Sequence, residues 1–260
     1  MAGPYRTFYI SAGMGEPLLL LHGAGGDSSI FQHTIAQLAR NHTVIAPDII
    51  GHGRTEGPTV GYSESLYSYW LDGFLSAIGL EAADLVGHSL GGAIALRFAY
   101  NHPEQVIHLV LVNTISLGFP SLLATLYLLL AMFSPRKQLA LDLVGRVMFS
   151  GPKRNRREMT ARFLSTNDSI PKGIRGFLWM LARTWGVSWP APRRMLRGLR
   201  APVLLVWGEA DRYIPLSHAR RGVRFIPHSQ LSLIPKAGHA PFLERPEEFN
   251  DLLLSYLAAE

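Results

Sequence analysis

Residues 83–99, with the sequence ADLVGHSLGGAIALRFA, decide the fold of this chain. The first residues of the stretch read as the end of a buried strand, and those from Ala93 onward carry apolar side chains at helical spacing. A Gly-x-Ser-x-Gly motif between a strand and a helix forms a tight turn that exposes the serine hydroxyl at the edge of a sheet. Gly87 and Gly91 have no Cβ, so backbone segments can approach closely there. Ser89 is the predicted nucleophile.

Two other polar side chains follow predicted strands later in the chain. The apolar run 201–208 (APVLLVWG) predicts a buried parallel strand, and Asp211 lies in the loop after it. Residues 231–235 predict another strand, which leads to His239. An acid and a histidine in this order after a serine predict that His239 removes the proton from Ser89 and that Asp211 orients the imidazole.

The apolar run 18–21 (LLLL) ends in the glycine-rich stretch 22–27 (HGAGGD). Acyl transfer requires two N–H donors for the developing oxyanion, one from the residue after the nucleophile and one from a loop after an earlier strand. We predict that the backbone N–H groups of Leu90 and Ala24 form this oxyanion hole, with Gly25 as the alternative to Ala24. A phosphate-binding loop is excluded, because the stretch has neither a Gly-Lys-Ser/Thr ending nor Gly-x-Gly-x-x-Gly.

These motifs, together with 46–55 (APDIIGHGRT), 208–215 (GEADRYIP) and 238–246 (GHAPFLERP), resemble the α/β-hydrolase superfamily. The resemblance is to its small single-domain esterase, lipase and lactonase-like members, and it covers nearly the whole chain. It implies an α/β fold with a doubly wound, mostly parallel sheet and a helical cap inserted after the sixth strand. We expect residues 1–115 and 193–260 to form the core domain and residues 116–192 to form the cap.

The alternation of patterns along the chain agrees with that fold class, because strands that alternate with helices favour a parallel sheet covered on both faces. No segment between Ile115 and about Pro192 reads well as a sheet strand, which predicts a helical insertion. Strands are predicted near 5–10, 17–21, 43–46, 84–88, 107–112, 203–207 and 230–234, and helices near 28–40, 64–79, 90–100, 215–225 and 246–258.

The composition is that of a folded enzyme of one domain, with 260 residues, 48% of them hydrophobic and 17% charged. The absence of cysteine excludes disulfides, thiolate metal sites and a cysteine nucleophile. No histidine and carboxylate cluster has the spacing of a metal site, so we expect a reaction that needs no metal or cofactor. The N-terminus does not resemble a signal peptide, and the apolar stretch 122–133 is too short to span a bilayer, which predicts a cytoplasmic location without stable membrane insertion.

Positive charge is concentrated in the predicted cap. Residues 134–200 contain 15 Lys and Arg against 3 acidic residues, a net of +12, so the remaining residues have 10 against 16, a net of −6. The basic cap could attract an anionic substrate, rest on an anionic membrane surface, or be a solvated face without a specific role. Nucleic-acid binding is disfavoured, because no recognition module accompanies the charge.

Aromatic and methionine side chains in the cap indicate an apolar acyl or aromatic substrate group. Phe177, Trp179, Trp185 and Met148 are the predicted substrate-binding residues.

The predicted function is a serine hydrolase that cleaves a small or medium apolar carboxylic ester or lactone through an acyl-enzyme on Ser89. A C–C bond hydrolase of the meta-cleavage type is an alternative, although relatives of that type typically have Asn where this chain has His88. A cofactor-free perhydrolase and a non-enzymatic ligand receptor on the same scaffold are two further candidate functions. The resemblance disfavours haloalkane dehalogenases and epoxide hydrolases, which use an aspartate where Ser89 stands.

Overall fold

The computed structural model describes residues 5–59, 61–165 and 190–258. Its strands form one sheet in the order β1-β3-β2-β4-β5-β6-β7. β1 is antiparallel to β3, and the other described pairs are parallel, which confirms the predicted α/β class and mostly parallel sheet. The strands are β1 Tyr9–Ala12, β2 Glu16–Leu21, β3 His42–Pro47, β4 Ala83–His88, β5 Val106–Val112, β6 Val203–Gly208 and β7 Gln230–Ile234.

The described helices cover both faces of the sheet and form the insertion between β5 and β6. None of them is long and apolar enough to cross a membrane. The helices are α1 Gln32–Leu38, α2 Glu64–Ala77, α3 Leu90–Asn101, α4 Leu122–Phe133, α5 Lys137–Met148, α6 Lys153–Ser165, α7 Arg193–Arg197, α8 Ser217–Phe225, α9 Pro241–Glu244 and α10 Pro246–Leu257.

Two apolar clusters hold the sheet between its helical layers. Side chains alternate across a strand, so Leu19 and Leu21 of β2 contribute to one cluster and Leu18 and Leu20 to the other. The first cluster includes buried side chains of α2, α3 and α8, and the second includes those of α1 and α10. Because the central parallel strands are covered on both faces, their carboxyl ends are held rigidly at one edge of the sheet.

The two ends of the segment inserted between β5 and β6 lie next to each other. The Ala191 N–H donates to the Ser116 carbonyl at 2.7 Å. Arg221 of α8 binds both ends, donating to the Leu117 carbonyl at 3.2 Å and to the Ala191 carbonyl at 2.9 Å. These contacts lie beside the expected limits of the cap at residues 116 and 192, and α4, α5 and α6 are the described helices between them.

Two details differ from the expectations. The first strand begins at Tyr9 rather than near residue 5, because the Arg6 and Phe8 carbonyls accept N–H groups from Glu56 and Asp48 in a loop instead of from a strand. The strand before the insertion, β5, is the fifth of the described strands in chain order and not the sixth, since β1, β2 and β3 are the only strands described before β4.

Candidate active site

Ser89 lies in a strained turn between β4 and α3. Its φ of 52° and ψ of −110° place a non-glycine residue in the left-handed half of conformational space. The turn is possible because the segments around it touch: a Cβ on Gly87 would lie 2.5 Å from the Gly91 carbonyl oxygen, and one on Gly91 would overlap the Leu21 carbonyl oxygen. The Ser89 N–H donates to the Val112 carbonyl at 3.0 Å, which ties the turn to the end of β5. The motif predicts this geometry.

Asp211 and His239 come together after β6 and β7. The Asp211 Oδ2 atom lies 2.9 Å from the His239 Nδ1 atom, and both side chains are 1% exposed. A carboxylate can only accept a hydrogen bond, so Nδ1 carries the proton and Nε2 is left as the basic nitrogen. The buried pair has the arrangement of an acid that orients a general base.

Asp211 is held by three further donors. Its Oδ1 accepts the backbone N–H groups of Tyr213 at 2.8 Å and Ile214 at 2.9 Å, while its Oδ2 accepts the Asn113 side-chain amide at 2.6 Å. Asn113 also accepts the Gly208 N–H on its Oδ1 at 3.2 Å, so one amide side chain bridges the ends of β5 and β6. These bonds fix the orientation of the carboxylate.

Both backbone groups of His239 are also bound. Its N–H donates to the Met148 carbonyl at 2.8 Å, and its carbonyl accepts from His88 Nε2 at 2.9 Å. Burial, together with the neighbouring His239, lowers the pKa of His88 well below its usual value, so His88 is neutral at pH 7. The His88 ring therefore supports the His239 loop from the nucleophile side.

Tyr213 packs edge-on against the imidazole of His239. Their ring centroids lie 5.1 Å apart at 87°. Burial, assisted by the negative charge of Asp211, raises the pKa of Tyr213 to about 12. The phenol therefore stays neutral and forms one wall of the imidazole site.

The predicted oxyanion loop forms a tight turn next to Ser89. The Gly26 N–H donates to the Gly23 carbonyl at 3.0 Å, and Gly25 has a φ of 74°, which suits glycine at the third position of such a turn. The Ala24 N–H is not part of that hydrogen bond. Leu90 is the first residue of α3, where backbone N–H groups have no partner within the helix. The backbone at Ala24 and Leu90 is therefore compatible with the predicted oxyanion hole.

His22 fixes the predicted oxyanion loop through hydrogen bonds of its two ring nitrogens. Its Nε2 accepts the Ile49 N–H at 2.8 Å, so the proton lies on Nδ1, which donates to the Gly23 carbonyl at 2.8 Å. Burial lowers the pKa of this histidine, which keeps it neutral. A supporting role for His22 follows from these bonds.

The predicted substrate-binding residues have different outcomes. Phe177, Trp179 and Trp185 lie outside the described residues. Met148 is described, but its side chain is buried in the second apolar cluster, and its contact with the candidate site is made by the backbone carbonyl. Met148 is the last residue of α5, and it packs where the inserted segment meets the core.

A cavity of about 180 Å³ lies at the same junction, between the start of α4 and the loop that holds Asp211. Its walls combine apolar side chains with the guanidinium groups of Arg146 and Arg212, and neither of these is paired with a carboxylate among the residues that the structure describes. The lining residues are Ser121, Leu123, Ala124, Tyr127, Arg146, Val147 and Arg212.

Two residues near the site have no role that the sequence alone indicates. Glu244 and Tyr213 lie within stretches that carry the resemblance, but nothing in their spacing points to a contact with the His239 loop. Asn113, directly after β5, also contacts the site, and its side-chain amide donates to Asp211.

Comparisons with known proteins agree with the fold. A sequence model described as the alpha/beta hydrolase fold matches residues 16–246. The 2-hydroxy-6-oxo-6-phenylhexa-2,4-dienoate hydrolase of Burkholderia cepacia is 28% identical, over 98% of this chain and 92% of that protein. The solved structure of the hydrolase of the same name from Rhodococcus sp. strain RHA1 aligns with a TM-score of 0.83 at 26% identity, over 99% of this chain and 96% of that one. An esterase from Rhodococcus sp. ECU1013 aligns with a TM-score of 0.83 at 24% identity, over 97% and 94% of the two chains, a likeness that shows the fold alone. The chain belongs to the α/β-hydrolase family and is an α/β-hydrolase enzyme.

Proposed function

We propose that this enzyme is a serine hydrolase that cleaves a small or medium apolar carboxylic ester or lactone through an acyl-enzyme. The observation that carries the proposal is the buried Asp211–His239 pair at 2.9 Å, together with the hydrogen bond at 2.9 Å from His88, the residue before Ser89 in its strained strand-to-helix turn, to the His239 carbonyl. Nucleophile, base and orienting acid follow strands β4, β7 and β6, whose carboxyl ends lie at one edge of the sheet.

In the first half of the proposed reaction, Ser89 Oγ attacks the ester carbonyl carbon while His239 Nε2 takes the hydroxyl proton. Asp211 stabilises the imidazolium that forms, and the N–H groups of Ala24 and Leu90 stabilise the oxyanion. The C–O bond then breaks and the imidazolium gives its proton to the leaving alkoxide. Water, deprotonated by the same imidazole, attacks the acyl-enzyme; the bond from the acyl carbon to Ser89 Oγ breaks, the acid leaves, and the imidazolium returns its proton to Ser89 Oγ.

A C–C bond hydrolase of the meta-cleavage type is the second candidate, and the comparisons favour it. The Burkholderia cepacia and Rhodococcus relatives carry the names of such hydrolases. Substrates of this class are vinylogous diketone acids, and Arg146 and Arg212 offer the cavity two cations for a carboxylate. The identity of residue 88 supports the ester instead, since hydrolases of the meta-cleavage type typically have Asn there, whereas this chain has His88, whose Nε2 donates to the His239 carbonyl.

The experiment begins with a fluorophosphonate probe, which reacts with an activated serine. We expect wild type to be labelled and Ser89→Ala not to be, while Ser255→Ala, which changes an exposed serine on α10, is labelled like wild type. If wild type is not labelled, the hydrolase proposal fails and a ligand receptor becomes the better interpretation.

Substrate turnover then separates the two candidates. Hydrolysis of p-nitrophenyl butyrate without consumption of a coloured ring-fission diketo acid supports the ester hydrolase. The reverse pattern would overturn it in favour of C–C bond cleavage. Formation of peracid from acetate and peroxide, measured in the same samples, tests for a perhydrolase.

A further inference from the structure

The segment that ends α5 connects the cap to the loop of the candidate base. Met148 and Phe149 are buried, and the Met148 carbonyl accepts the His239 N–H at 2.8 Å. A Cβ on Gly238 would lie 2.7 Å from the same carbonyl oxygen, so the two backbones are in direct contact there. The position of the imidazole is therefore coupled to a segment of the inserted cap.

Glu244 joins the same two segments through its carboxylate. Its Oε1 accepts the Gly238 N–H at 2.7 Å, and its Oε2 accepts the Ser150 N–H at 2.7 Å. The Ser150 hydroxyl lies 2.7 Å from Oε2 and also within reach of the Lys236 carbonyl, and its single proton is shared between these acceptors. One carboxylate thus bridges residues on both sides of the junction.

The remaining anchors of His239 come from the core. Asp211 binds the imidazole after β6, and His88 binds the His239 carbonyl from the end of β4. Among the described residues, the anchors that come from the inserted segment are Met148 and Ser150. The cap side of the imidazole loop therefore depends on the Met148 carbonyl and on the Glu244 bridge.

We propose that Glu244, together with Ser150, is a positioning residue that holds His239 in register with Ser89 by docking the end of α5 onto the His239 loop. The inference rests on the proposed function, in which His239 is the general base. Neither residue touches the reacting atoms; each acts through the backbone on which the imidazole is mounted. Undocking of the end of α5 lets the imidazole drift, and neither Glu244 nor Ser150 is among the residues that line the cavity described above.

The variants Glu244→Gln and Ser150→Ala test this coupling. Glutamine keeps the volume but offers one acceptor oxygen, so its NH₂ group must face the donor of either Gly238 or Ser150 and one side of the bridge is lost. Since a misplacement of about 1 Å can cost roughly 100-fold in rate, we expect kcat to fall about 10- to 100-fold in Glu244→Gln and about 10-fold in Ser150→Ala. KM is expected to stay within about threefold, because binding of the substrate is not the step that is disturbed.

Matched controls separate positioning from general damage. Glu248→Gln and Ser255→Ala change exposed residues of α10 and should match wild type. Ser150→Thr keeps the hydroxyl and should restore most of the rate. In proton NMR, the low-field signal of the hydrogen bond from His239 Nδ1–H to Asp211 should broaden in Glu244→Gln. The circular dichroism spectrum of this variant should remain that of the folded protein.

The outcomes distinguish this inference from the proposed function. A wild type without labelling or turnover contradicts the proposed function, and the proton signal of His239 still reports whether the bridge orders the loop. An active wild type whose Glu244→Gln and Ser150→Ala variants keep full kcat and an unchanged proton signal overturns the positioning role. A rise in KM at constant kcat overturns it as well, since that would place the two residues in substrate binding.

Discussion

Replacement of Asp211 by asparagine should remove most of the hydrolytic activity while leaving the fold in place. The carboxylate accepts two backbone N–H groups on Oδ1 and two further donors, Asn113 Nδ2 and His239 Nδ1, on Oδ2. An asparagine that keeps its oxygen toward the backbone must present NH₂ to both of these donors. The conflict with His239 is relieved when the imidazole moves its proton to Nε2, where it can no longer accept the proton of Ser89, while the conflict with Asn113 remains.

The expected cost follows from this change of tautomer. The loss of a correctly oriented base in a serine–histidine–aspartate triad lowers kcat by about 10⁴-fold. The lost charge-assisted hydrogen bond to His239 should cost about 1.5–3 kcal/mol of unfolding free energy, or a Tm decrease of roughly 5 °C for a chain of this size.

The assay is steady-state hydrolysis of p-nitrophenyl butyrate, with active-site titration to exclude contaminating wild type, and calorimetry for Tm. Asp251→Asn is the matched control, because Asp251 is exposed on α10 and binds Gln37 away from the site. If Asp211→Asn retained more than about a tenth of kcat, the assignment of this carboxylate would be wrong.

Four more predictions concern the turn, the triad acid and two titrating groups. The double variant Asn113→Asp/Asp211→Asn places the carboxylate after β5 instead of after β6, and its kcat should be at least about tenfold higher than that of Asp211→Asn alone. An unchanged kcat would show that the acid must follow β6. Gly91→Ala places a methyl group on the Leu21 carbonyl oxygen, so calorimetry should show a Tm loss of more than about 10 °C, and a smaller loss would mean that the turn can relax. Burial lowers the pKa of His88, so below about pH 6.5 the unfolded chain binds one proton more at this residue than the folded chain does. As the pH falls through that range, urea unfolding should show that the free energy of unfolding of wild type decreases by about 1.4 kcal/mol per pH unit relative to His88→Gln. Parallel pH profiles of the two proteins would contradict this. Arg157 lowers the pKa of Asp142 to about 2, so the contribution of this ion pair to the free energy of unfolding is present above about pH 4 and is lost between pH 4 and 2. Because the pair is half-buried at the surface, Asp142→Asn should lower Tm only slightly, and the difference from wild type should shrink in about 1 M salt; a difference that salt leaves unchanged would contradict this.

The sheet and the turn at Ser89 could be predicted because their causes are local. The apolar runs that predict β4, β5 and β6 are buried on both faces, and no other residue pattern in their neighbourhood competes with them. Gly87 is required by backbone contact with Gly91 and Gly92 within the motif itself, whereas Gly91 is required by contact with the Leu21 carbonyl of the neighbouring strand β2.

The surroundings of the site could not be read from the sequence. The bonds of Met148 and Ser150 to the His239 loop join residues that are about 90 positions apart, and one of them uses a backbone carbonyl that any residue could supply. The predicted start of β1 is wrong for a similar reason, because the partners of residues 6 and 8 lie in a distant loop. Residue type predicts such contacts poorly when the recognition is by the main chain.

The inserted segment closes at Ser116 and Ala191, and Arg221 donates to a backbone carbonyl at each of its two ends, so we expect this segment to be exchangeable. A foreign cap grafted at these two residues would meet a core whose entry and exit points already lie side by side, so new substrate preferences could be installed without redesigning the sheet. Such a graft would succeed only if it retained a segment equivalent to residues 148–150, since a hybrid without it would keep its nucleophile and lose the alignment of its base.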